Sequence, residues 1–203
     1  MTASTRTPKG EATRRRIIEG TAAEIRGNGV AAVTLDDVRH RTATSKSQLF
    51  HYFPGGKEEL LLAVAQHEAD RVLADQRPYL GQLTSWRAWQ SWRDAVVERY
   101  RQQGQNCPLS VLLSEVGRNT PATQAVTTAL LTQWQAEIAT GIRDMQQQGK
   151  VGRRLDPDRT AAAVLAGIQG GVSILLSTGD LTSLEAALDL AIRYLRYSAA
   201  PQL

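Results

Sequence analysis

One cysteine in 203 residues, Cys107, excludes an internal disulfide framework. Three histidines, His40, His51 and His67, offer no metal-ligand spacing with it, so neither a metal nor another cofactor is expected. No uninterrupted apolar run reaches about 18 residues, which leaves no candidate spanning helix, and the polar, arginine-rich N-terminus does not read as a signal peptide. A cytoplasmic chain with no membrane partner is the expectation. Period-two alternation is also missing after Lys57, and no nucleophile is paired with a base, nor carboxylate with carboxylate, so an enzyme is not expected.

The sequence does supply a core and a lopsided charge. Hydrophobic residues make up 42% of the chain, enough for a sizeable core in one or two domains. Basic residues outnumber acidic ones by 24 to 20, and the first 60 residues, with 10 basic against 7 acidic, hold +3 of the net +4. Arg6, Lys9, Arg14, Arg15 and Arg16 are opposed only by Glu11 over the first 16 residues, a concentration that attracts a polyanion. Residues 1–8 would also serve as a plain solubilising arm. From Arg14 onward, Ile17, Ile18, Ala22 and Ile25 make the inward stripe of a helix.

Residues 34–57 carry the densest pattern. Thr34 can cap a helix whose third position is Asp37, and Ser45 with Gln48 forms a Ser-x-x-Gln capping box for a second one about three residues later. Leu35 and Val38 on one helix, Leu49 and Phe53 near the other, supply inner faces for a shared core. Lys46, Ser47, Gln48 and His51 remain for the outer side, where a cation and several hydrogen-bonding groups suit phosphates and base edges. Two short helices so arranged have the layout of a helix-turn-helix. Taken singly, Thr34, Ser45 and Gln48 read equally as ordinary caps, and Lys46 and His51 as solvated surface; the arrangement carries the weight.

Thr13-Arg14-Arg15-Arg16-Ile17-Ile18, then Gly29, Thr34, Val38, Ser45, Leu49-Phe50-His51-Tyr52-Phe53 and Lys57-Glu58-Glu59-Leu60 resemble the N-terminal region of the TetR family of bacterial transcriptional regulators. The resemblance implies an all-α fold of about nine helices: a three-helix helix-turn-helix domain over residues 1–56, then an effector-binding and dimerisation domain over 57–203. It implies a repressor that binds a palindromic operator in double-stranded DNA as a homodimer. Arg14, Arg15, Thr34, Thr44, Ser45, Tyr52 and Lys57 then join Lys46, Ser47, Gln48 and His51 on the DNA side. Three features depart from the family pattern: Arg39 where a small residue is usual, Ala43 where the turn is usually glycine, and a Pro54-Gly55-Gly56 link one residue longer than common.

Periodicity and caps predict the remaining helices at about Lys57–Gln76, Ser85–Gln103, from Pro108 onward, Pro121–Gln148, Pro157–Ser177 and Leu181–Tyr197. In the last two, Leu165, Ile168, Val172 and Leu176, with Leu184, Leu188, Ile192 and Leu195, form stripes that a second subunit would complete into a four-helix bundle. The same stripes also suit packing within one subunit. A dimer is favoured because one recognition helix spans few base pairs, whereas a two-fold pair reads two half-sites.

Aromatic residues at helical spacing are first of all core material. The family resemblance adds a cavity for a small, largely apolar effector, with Trp89, Trp92, Tyr100, Cys107, Leu112, Trp134, Ile138 and Gln169 as its expected lining. Cys107-Pro108, Leu109, Leu112 and Glu115 look like the branch that often governs multidrug-efflux genes. Two further readings stay open: a DNA-binding dimer without small-molecule input, and a regulator that senses oxidants through Cys107.

Overall fold

Thr7 opens the first helix of the computed structural model, which describes residues 7–104 and 121–198. Its hydroxyl accepts the Gly10 N–H at 3.2 Å and Pro8 fills the first helical position, so α1 runs Pro8–Asn28. It is followed by α2 (Leu35–Thr42), α3 (Lys46–Tyr52), α4 (Gly56–Ala74), a 3-10 turn at Leu80–Gln82, α5 (Trp86–Gln103), α6 (Pro121–Gln147), α7 (Pro157–Thr178) and α8 (Thr182–Tyr197). The fold is all-α, with eight α-helices and no strand among the described residues. The helix expected after Cys107 lies outside them, as do Cys107 and Leu112 themselves.

Contacts divide the chain into two units; among the described residues the first holds 7–69 and 121–127, the second 70–104 and 128–198. The first extends past Gly56 because Leu60, Leu61, Val64 and Ala65 of α4 are buried in one core with Ile17, Ile25, Val38, Leu49 and Phe53. Within it α1 and α2 approach so closely that a Cβ on Gly20 would lie 2.3 Å from Thr42 Cγ2. Buried Glu24 on α1 accepts both the Arg41 guanidinium of α2 and, at 2.8 Å, the Asn28 amide, which closes the same contact with paired charge.

In the second unit α7 and α8 pack antiparallel, joined through Gly179 (φ 78°). Gly171 permits a close approach between them, since a Cβ there would stand 2.5 Å from Leu184 Cα. Leu165, Ile168 and Val172 on α7 and Leu184, Leu188, Ile192 and Leu195 on α8 are all buried within this one chain, and Leu176 is half-buried. That corrects their expected place at a subunit interface: the two stripes cover each other. Arg93 of α5 grips Asp189 of α8 with two hydrogen bonds of 2.9 and 3.1 Å, and Arg143 of α6 grips Asp158 at the start of α7. Among the described residues α7 alone has the length and apolar composition of a membrane span; in this fold its apolar stripe is covered by α8.

Candidate nucleic-acid interface

Two capping boxes set the α2 and α3 starts. Thr34 Oγ1 accepts the Asp37 N–H at 3.2 Å, while Asp37 Oδ2 accepts the Thr34 N–H at 2.9 Å and the Thr34 hydroxyl at 2.6 Å. Those bonds, first the hydroxyl and then the backbone N–H, hold the Asp37 pKa below its ordinary 3.8. Ser45 Oγ and Gln48 Oε1 exchange the same pair of bonds with each other's N–H, both at 3.1 Å. Between the helices, Ala43 sits in the left-handed region (φ 46°, ψ 47°) where the family pattern usually has glycine. The chain makes the same turn with a residue that pays a steric cost of about 1–2 kcal/mol for it.

With α3 anchored by buried Leu49 and Phe53, its other side is outward: Ser45, Lys46, Ser47, Gln48, Phe50 and His51 are exposed. Lys46 and Phe50, and Ser47 and His51, are each four apart and so share a face. Gln48 uses its carbonyl in the cap, which leaves its NH2 as the outward donor. Tyr52 is half-buried, packed against the core and edge-on to the His51 ring at 5.0 Å, so it braces the face as well as bordering it.

The basic side chains fall into two groups. Arg39 is bound to Asp36 at 2.5 Å and Arg41 to Glu24, so both charges are neutralised inside the unit. Arg15, Lys46 and Lys57 make no ion pair among the described residues; Arg15 and Lys46 are exposed and Lys57 half-exposed at the start of α4. Arg14 is half-buried, its guanidinium 5.3 Å above the Phe53 ring, which fixes its direction by a cation–π contact. Thr34 is exposed. Thr44, placed beside these on sequence grounds, is instead 4% exposed: its hydroxyl donates to the Thr42 carbonyl at 3.1 Å and lies 2.9 Å from the Thr42 hydroxyl. A threonine so engaged holds the turn and has no outward reach.

Phe50 was not among the expected interface residues. Its spacing from Lys46 would have placed it there, but an apolar side chain next to Leu49 reads as core.

The expected effector lining, apart from Cys107 and Leu112, which lie outside the described residues, is made of buried or half-buried side chains. Trp89, Trp92, Tyr100, Trp134 and Ile138 are all buried, and Gln169 is half-buried on α7. Trp89 and Trp92 meet edge to face at 5.6 Å, and their indole N–H groups donate to the Leu83 carbonyl at 3.0 Å and to Gln76 Oε1 at 2.8 Å. Trp134 Nε1 is buried with no acceptor among the described residues.

Residues 17–64 match the family described as "Bacterial regulatory proteins, tetR family", and residues 86–191 match "Tetracyclin repressor-like, C-terminal domain". The chain is 28% identical over 198 residues to an uncharacterized HTH-type transcriptional regulator of Mycobacterium tuberculosis, a likeness that covers 90% of this chain and 92% of that one. Among solved structures, a TetR transcriptional regulator from Chloroflexus aurantiacus is similar at a TM-score of 0.78 and 23% identity, covering 93% of this chain and 96% of the other. The complex of SmeT with triclosan is similar at a TM-score of 0.71 and 18% identity, covering 90% of each chain. SmeT is described as the repressor of a Stenotrophomonas maltophilia multidrug efflux pump.

Proposed function

Since the chain belongs to the TetR family of DNA-binding transcriptional regulators, we propose that it represses transcription by occupying a palindromic operator as a homodimer, and that a small, largely apolar effector releases it. The observation that carries this reading is the outward side of α3, a doubly anchored helix presenting one cation and several donors to solvent. Lys46, Ser47, Gln48 and His51 are assigned to the groove, with Arg14, Arg15, Thr34, Ser45, Tyr52 and Lys57 at its phosphate borders.

The second copy is assigned to the outer side of α7 and α8, opposite the stripes that cover each other. Ala163, Ala166, Gly170 and Ile174 line that side of α7, and Leu190 (63% exposed), Tyr194 (58% exposed) and Tyr197 line that of α8. An open groove of about 660 Å³ runs between them, bordered by Arg159, Ala163, Gly167, Leu190 and Tyr194. Small residues on one helix and large exposed ones on the other suit a two-fold pairing in which each fills the other's groove.

Effector release needs a modest coupling. A hundredfold loss of operator affinity corresponds to about 2.7 kcal/mol, and α4, one continuous helix with residues in both units, is the element through which we route it. The Trp134 N–H supports an effector that carries a hydrogen-bond acceptor, because a buried donor left unpaired costs about 1–3 kcal/mol.

The test begins with selection of bound duplexes from a random pool by the full-length protein. Lys46→Ala with His51→Ala should then lower affinity for the selected duplex by about tenfold or more and reduce its salt dependence, with helicity and dimer mass unchanged. Unchanged mobility-shift titrations overturn the assignment of α3. Quenching of tryptophan fluorescence by apolar compounds, with loss of DNA binding, tests the effector; a regulator without small-molecule input shows neither.

A further inference from the structure

We propose that Phe50 reads the methyl group of a thymine in each half of the operator. The inference rests on the reading of α3 as the helix in the major groove. Phe50 lies one turn beyond Lys46 and beside Ser47 and His51, and it is 39% exposed although two other apolar side chains of the same segment, Leu49 and Phe53, are completely buried. One residue past Leu49 the helix has turned by about 100°, so the ring is carried away from the core and onto the polar face.

Its position is defined. Phe50 Cε1 stands 3.7 Å from the point where a side chain on Gly56 would begin, and Gly56, the first residue of α4, has a φ of 69°. One edge of the ring therefore rests on that glycine, and the rest faces outward among Lys46, Ser47 and His51.

Base edges in the major groove differ in donors and acceptors, and thymine adds an apolar methyl. Lys46, Ser47 and the Gln48 NH2 cover the polar part of such a surface with donors. Phe50 has neither donor nor acceptor, so the one base-edge interaction open to it is apolar contact with a methyl, which also removes the ring from water. A ring packed on deoxyribose would be blind to the base beside it, and that difference is measurable.

Full-length protein and a duplex selected from a random pool are used, with deoxyuridine replacing each thymine in turn, since this deletes the methyl and nothing else. One thymine per half-site should be found whose replacement weakens the protein by about three- to tenfold. Phe50→Ala should bind the thymine duplex weaker by the same factor and be indifferent to deoxyuridine there, while Phe50→Leu keeps part of the preference. Non-specific binding and circular dichroism of both variants should match the parent. The proposal is overturned if no methyl matters, or if Phe50→Ala loses as much as the parent when the methyl is deleted. A pool from which no sequence is enriched overturns the DNA reading itself, a result distinct from enrichment without methyl dependence.

Discussion

The helix-turn-helix and the α7–α8 pair are both pairs of helices organised by apolar stripes, but their stripes carry different amounts of information. On α3 the side opposite Leu49 and Phe53 is mostly polar, so polarity alone separates inside from outside. On α7 the buried side has Leu165, Ile168 and Val172, and the open side has Ala163, Ala166, Gly170 and Ile174; both are apolar. A stripe announces that a face will be covered. It does not say whether the cover comes from the same chain or another.

The largest expected effect sharpens this contrast between two adjacent glycines of α7. Gly171→Ala places a methyl 2.5 Å from the Leu184 backbone, so α7 and α8 must separate; a loss of about 3 kcal/mol in urea unfolding is expected. At Gly170, where an added Cβ meets nothing, alanine should raise the stability of the isolated chain by about 0.5–1 kcal/mol through helix propensity. Equal losses at both positions would show that the two sides of α7 are not distinct.

Next comes the outer side itself. Leu190→Arg inserts a charge into the proposed subunit contact without touching the α7–α8 core, and it should weaken dimerisation by about a hundredfold in sedimentation while the melting temperature at high dilution is retained. A dimer of parental affinity would overturn the assignment of the second copy to this side.

In the helix-turn-helix the corresponding probe is Ala43→Gly. Relief of the left-handed alanine, about 1–2 kcal/mol, exceeds the entropy of a new glycine, about 0.4–1 kcal/mol, so a net gain near 0.5 kcal/mol is expected in thermal unfolding. A destabilised variant would mean that Ala43 does not occupy that conformation.

The smallest effect is on acid stability. Asp37, held by Thr34, and Asp180, held by the Thr182 N–H and hydroxyl, have pKa values below the ordinary 3.8; that of Glu98, held first by Arg101 and then Gln102, is below the ordinary 4.5. A depressed carboxyl stabilises the fold above its unfolded value and loses that contribution as pH falls through its lower folded value. The urea midpoint should accordingly drop below about pH 4, and Asp37→Asn should make the drop shallower. An unchanged slope in the variant would remove Asp37 from the account.

Much of the helix-turn-helix was legible because its determinants are local. Thr34 with Asp37 and Ser45 with Gln48 are three residues apart, and both boxes form as their spacing dictates. Thr44 and Phe50 were the exceptions, and both for the same reason: polarity pointed one way and geometry the other. The turn directs the Thr44 hydroxyl to Thr42, and the helix rotates Phe50 off the core. Neither fact is contained in a residue's character.

Local sequence was thus sufficient for the helices among the described residues, the capping boxes of α2 and α3, the all-α class and the polar side of α3, because hydrogen bonds and periodicities spanning three or four residues decide them. Tertiary structure alone decided that Arg41 answers Glu24 while Lys46 finds no ion-pair partner among the described residues, that Gly171 rather than Gly170 meets Leu184, and that the leucines of α7 and α8 cover one another. Those outcomes depend on which distant surfaces meet, and the free energy of covering apolar area is indifferent to how far apart along the chain its two sides lie.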